Sequence, residues 1–100
     1  MAGKKIEFHD EAAAEYDASF DWYLEHSPDA ARKFDAEMEH AISQITKFPL
    51  RWASGPLNTC RYLLRRFPFL LIFRERPFDE IQIIAVAHTS RRPAYWKTRL

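Results

Sequence analysis

The chain has 100 residues, 47% hydrophobic and 15% aromatic, with a net charge of +1 and a single cysteine. That length fits one domain over 1–100, able to bury roughly 60–65% of its unfolded surface, and the composition excludes a disordered tail. Cys60 has no partner for an internal disulfide, the apolar run Phe67–Phe73 is far below the ~20 residues that span a bilayer, and Met1–Asp10 lacks the apolar core of a secretory leader, so a cytoplasmic protein without membrane contact is expected.

Lys5–Phe8 reads as a short strand, with Ile6 and Phe8 on one face. Asp10 is placed to cap a first helix, with Glu11 in its first turn. In 10–26, Tyr16, Phe20, Tyr23 and Leu24 form one apolar stripe, opposite Glu11, Asp21 and Glu25. Trp22 and Tyr23 read as core. Ser27-Pro28 opens a second helix, Ser as N-cap and Pro at the first helical position. Phe34, Met38, Ala41, Ile45 and Phe48 then recur at alternating steps of four and three, a seam that suits an antiparallel helical hairpin, and Pro49 ends it.

Leu50–Thr59, with Gly55-Pro56, reads as a loop. Beyond it the period changes. Cys60–Phe67, Phe69–Arg74 and Glu80–His88 read as strands, with a turn at Glu75–Asp79. Phe69–Phe73 is apolar at every position, which marks a strand covered on both faces. Ser90–Leu100 is a basic tail with room for a short helix near Pro93. The order is β-α-α-β-β-β with a C-terminal extension. That is an α+β fold: an N-terminal strand and antiparallel helical hairpin on a mostly antiparallel twisted sheet. The hairpin covers one sheet face, and the other face or its rim carries the arginines.

Two glycines cannot build a phosphate-cradling loop. Four scattered histidines and one cysteine give no metal spacing, and there is no serine elbow. No metal or other cofactor is therefore expected. Residues 1–50 carry 5 Lys/Arg against 11 Asp/Glu, net −6; residues 51–100 carry 10 against 3, net +7, and nine of those ten cations are arginine. Such asymmetry points to one basic face, unless the halves neutralise each other across their own interface. Arg61, Arg65, Arg74, Arg91, Arg92 and Trp96 are the candidate binding residues, since guanidinium favours phosphate or carboxylate. Arg61 and Arg65 share a strand face about 13 Å apart. His88 falls by period two on the face of Gln82, Ile84 and Val86. With Arg65 and Tyr95 it makes a candidate nuclease set: arginine holding phosphate, His88 or Tyr95 moving protons. The competing readings are a structural His88 at a strand end, and Tyr95 and Trp96 packing the tail. Cys60 reads as an inert small hydrophobe.

Several segments, in this order, resemble the RelE/ParE toxins of bacterial type II toxin–antitoxin systems, the plasmid stabilisation group. They are Ile6–Ala12, Trp22-Tyr23 before Ser27-Pro28, Ile45 to Trp52, Arg61–Phe69, Ile83–His88 and Arg91-Arg92-Pro93-Ala94-Tyr95-Trp96. The resemblance implies growth inhibition and a cognate antitoxin that wraps the toxin, in a heterotetramer or larger complex. It also implies one of two targets. RelE-like members cleave mRNA in the ribosome; ParE-like members inhibit DNA gyrase without a nuclease site. No lysine pair occurs in the middle strands, and the Arg51-Trp52 loop and Arg-Arg-Pro-Ala-Tyr-Trp end resemble the ParE-like group. A gyrase-type inhibitor is therefore preferred over the endoribonuclease, with a non-toxic interaction module as the third reading.

Overall fold

A computed structural model describes residues 4–48 and 51–100, Ala53 by its backbone only. Strand β1 (Lys5–Phe8) leads into helices α1 (Asp10–His26) and α2 (Pro28–Lys47). Strands β2 (Ala53–Ser54), β3 (Cys60–Leu63), β4 (Phe69–Arg76) and β5 (Glu80–His88) follow, and the chain ends in a 3-10 turn, Lys97–Arg99. The sheet order is β1-β5-β4-β3-β2; β1 runs parallel to β5 and every other pair is antiparallel. This is the α+β order expected, with a two-residue strand and a 3-10 turn (Pro56–Asn58) added inside the expected loop. β4, apolar on both faces, is the central strand.

The helices start and stop for local reasons. His9, not Asp10, caps α1: its Nδ1 accepts the Glu11 N–H at 3.1 Å. Ser27 alone joins the helices. Its N–H donates to the Tyr23 carbonyl at 2.6 Å, closing α1, and its Oγ accepts the Ala30 N–H at 3.2 Å, opening α2. α2 ends at Lys47 with Phe48 as C-cap; the expected stop at Pro49 lies outside the described residues. Tyr16 donates its hydroxyl to Asp35, tying the two helices together.

The hairpin covers the inner sheet face. Phe34, Met38, Ala41 and Ile45 of the seam are buried against Leu71, Phe73, Ile81 and Ile83, and Tyr16, Tyr23, Phe67 and Phe69 ring Phe34 at 5.2–5.6 Å. Three expectations fail at the ends of these stripes. Leu24, Phe48 and Trp22 stay exposed, Trp22 stacking on His26 at 3.9 Å. Each lies where the helix has run past the sheet or turned its face away from it.

A β-bulge decides the outer face. Ile72 pairs with Ala85 but Phe73 pairs with Ile83, so Ile84 is an extra residue in β5. The alternation inverts there: Ile81, Ile83 and Val86 are inner, whereas Ile84, Ala85 and Ala87 join the outer cluster with Ile72 and Trp96. His88 therefore follows Val86 to the inner side, away from Gln82 and Ile84. The period-two assignment of His88 is wrong for this one reason.

The β4–β5 loop, Pro77–Asp79, is shorter than expected because β4 extends to Arg76, while β5 starts at Glu80 as expected. Phe78 and Asp79 hold left-handed backbone, φ 64° and 56°. For non-glycine residues that conformation costs about 1–2 kcal/mol each.

Candidate functional site

The outer face carries a cavity of about 240 Å³. Leu70, Ile72 and Ala87 form its floor; Gly55, Pro56 and Thr59 form one wall and the tail from Arg91 to Trp96 the other. The Thr59 hydroxyl donates to the Pro56 carbonyl at 2.6 Å, and a Cβ on Gly55 would meet Thr59 Oγ1 at 3.0 Å, so glycine lets that wall close without displacing the hydroxyl. Arg61, Arg91 and Arg92 stand in its lining, which contains no carboxylate. The Arg91 guanidinium lies 3.9 Å over the Tyr95 ring, a cation–π contact.

A second cavity adjoins the first at Arg61. It is lined by His40, Arg51, Trp52, Leu63 and Arg65 along the β3 edge. A third basic group, Lys33, Arg65 and Arg66, lies against α2. The cations thus form a belt around the β3 edge, not one patch. Glu37 positions part of it. Its carboxylate accepts the Arg65 N–H and, at 3.2 Å, the Arg66 N–H, which holds the chain against α2 after β3 stops at Leu63. β3 is four residues shorter than expected, so Arg65 does not continue the Arg61 face.

The other C-terminal arginines are committed elsewhere. Arg74 Nε donates to Gln82 at 3.0 Å on the outer face, and Arg74 does not line the cavity. Arg76 pairs with Glu7 at 3.0 Å and Glu80 at 3.1 Å. Arg99, with an 8% exposed side chain, pairs with Glu15 at 2.9 Å and Glu11 at 3.4 Å.

The Glu15–Arg99 pair clasps the tail to the domain. Beyond Ile83, β1 has ended and β5 has an open edge. Arg99 donates to the Ile84 carbonyl at 3.0 Å, Val86 N–H donates to Glu15 Oε1 at 3.0 Å, and Tyr95 donates its hydroxyl to Glu15 Oε2 at 2.7 Å. Burial works to raise the Glu15 pKa, but the hydrogen bonds from Arg99, Tyr95 and Val86 outweigh it and hold the carboxyl below its ordinary value. Burial, and then the bond to Glu15, push the Tyr95 phenol far above the ordinary phenol range. Trp96 is buried in the outer cluster and fastens the tail.

The sequence-derived nuclease set is split by this arrangement: His88 and Tyr95 line the outer cavity together, and Arg65 lines the adjoining one. His88 sits where the outer cavity meets an inner-side groove lined by Ala18, Trp22, Tyr23 and Phe69. Its ring packs edge-on to Phe69 at 5.2 Å, and Nδ1 accepts the Ser90 N–H at 3.1 Å. Tyr95 is bound to Glu15, and Arg65 has turned toward α2. Cys60 packs against the inner core, and burial raises its thiol pKa. Glu15, Arg99 and Glu37 were missed in the sequence, because only the bulge and the early end of β3 give those side chains their backbone partners. Among the described residues no helix is long and apolar enough to cross a membrane.

The chain is similar to a chain of the chromosomal ParDE TA system from P. aeruginosa: TM-score 0.72 and 25% identity, covering 85% of this chain and 95% of that one. The model of the ParE toxin of the type II toxin–antitoxin system, parDE, matches residues 6–93. The chain belongs to that family of type II toxins. No curated protein matches it.

Proposed function

We propose that the chain is the toxin of a type II pair that arrests growth by binding DNA gyrase in the cytoplasm, and that a cognate antitoxin neutralises it in a heterotetramer or larger complex. The observation that carries the binding reading is that the acid–base candidates of the outer cavity are already engaged by other groups of the chain. His88 is engaged by Ser90, Tyr95 is a donor to Glu15 with a raised pKa, and Arg65, its amide held by Glu37, lines the adjoining cavity. What the outer face offers is a carboxylate-free, arginine-rimmed cavity, suited to contact rather than proton transfer. The arginine rim of that cavity is read as meeting the target, and the belt from Arg92 through Arg61 to Arg66 fits an acidic and apolar antitoxin segment that covers the rim, with an affinity expected to fall as salt rises. Plasmid or chromosome stabilisation follows as the role of such a pair.

Induction of the chain without antitoxin tests the target. Arrest with a DNA-damage response and intact mRNA supports gyrase. Rapid mRNA cleavage at translated codons, abolished in His88→Ala, makes the chain an endoribonuclease instead. Absence of arrest leaves a non-toxic interaction module.

A further inference from the structure

The most exposed large apolar side chain among the described residues is Phe78, 97% exposed at the tip of the β4–β5 hairpin. Its backbone is left-handed, as is that of Asp79. Asparagine or glycine adopts that conformation readily and a bulky aromatic does not, so hairpin stability alone favours a different residue here. Within the chain the ring returns nothing for that strain, since almost none of it is buried. Residues held against their backbone preference concentrate where a molecule meets its partners.

The platform beneath the ring is braced. Lys4 Nζ pairs with Glu75 and with Asp79 at 3.2 Å each, and the Lys5 N–H donates to the Asp79 carbonyl at 2.8 Å. Arg76 is held between Glu7 and Glu80, and Pro77 fixes the first φ of the loop. A ring presented this way loses little freedom on docking, which is how preorganisation raises affinity. The same pairs decide the kind of partner. Side chains that wedge into nucleic acid work beside cations free to meet phosphates. Here Lys4 and Arg76 are each committed to two carboxylates, so the tip is an apolar knob on a base whose paired groups carry an excess of negative charge, which disfavours phosphate.

We infer that Phe78 is a protein-docking anchor that inserts into an apolar pocket of the toxin's protein target, separate from the belt that fits the antitoxin. The inference rests on the toxin reading above. The knob lies beyond the far end of β4, about 20 Å along the strand from the Leu70 cavity floor, so both surfaces can be occupied together.

The test compares full-length native chain with Phe78→Asn, which keeps the left-handed turn, and Phe78→Tyr, which keeps the ring. Phe78→Asn is expected to melt at or above the native temperature and to bind the antitoxin within about twofold of native. It should require at least about tenfold more toxin to arrest growth without antitoxin, with a matching loss of affinity for purified DNA gyrase, as for an interface aromatic hot spot. Phe78→Tyr should restore most of both. Native-level arrest by Phe78→Asn overturns the inference alone; a native chain that never arrests growth removes the toxin reading and the inference with it. A loss confined to DNA or RNA affinity, or a native dimer that Phe78→Asn converts to monomer, assigns the knob to another partner and overturns it as well.

Discussion

The two faces of the sheet are held by different physics. The inner face is closed by two long helices through dry aromatic and aliphatic packing around Phe34, with no charged residue in the cluster. The outer face is closed by eleven residues of tail, fastened by one buried indole, Trp96, and one polar clasp, Glu15 with Arg99 and Tyr95. The inner side keeps open a groove beside Trp22 and the basic group against α2. The outer face, half covered, leaves a cavity and exposed guanidinium groups. Stability thus rests mainly on the inner side, and the outer side carries most of the surface left for recognition.

The comparison breaks first if the inner core proves dispensable. Phe34→Ala is expected to lose about 3–5 kcal/mol of unfolding free energy in urea titration, because it leaves a void among four aromatic rings. A loss below about 1 kcal/mol would move the centre of stability elsewhere. Next comes the clasp. Arg99→Ala removes the main cationic partner of Glu15 and is expected to cost about 2–3 kcal/mol. Far-UV circular dichroism should stay native, while hydrogen exchange at Ile84, Val86 and the tail speeds up.

The clasp also has a pH signature. Glu15 has a pKa below its ordinary value in the folded chain. Its contribution is therefore present above the unfolded carboxyl range near 4.5 and is lost as pH falls through the depressed folded value. Melting temperature followed from pH 7 to pH 3 should drop more steeply for the native chain than for Glu15→Gln, which is less stable at pH 7 but lacks that titration. Parallel curves would mean that the carboxylate is not what ties the tail down. The smallest stability effect belongs to the rim. Arg61→Ala and Arg91→Ala are expected to stay within about 0.5 kcal/mol of native in unfolding, while weakening the antitoxin complex and flattening its salt dependence.

Much of this was legible in the sequence. The Ser27-Pro28 boundary, the seam from Phe34 to Ile45 and the two-sided burial of Phe69–Phe73 each follow from spacing and side-chain chemistry alone. The site was less so. The Ile84 bulge inserts one residue into an otherwise regular run of Ile, Ala and Val, and no side chain announces it; yet it moves His88 to the other face. The early end of β3 has a similar effect on Arg65, because the Glu37 carboxylate that captures its amide comes from 28 residues earlier. Charge composition located the basic half correctly but could not separate Arg61, Arg91 and Arg92, which line the cavity, from Arg76 and Arg99, which find carboxylates across long chain separations.

Growth arrest on induction without antitoxin, compared between His88→Ala and the combined Arg61→Ala, Arg91→Ala and Arg92→Ala variant at matched protein levels, tests most directly whether the outer face works by contact. His88→Ala is expected to arrest growth as the native chain does, and the triple variant to lose arrest while remaining folded. Arrest lost in His88→Ala and retained in the triple variant would contradict a contact role for the arginine rim.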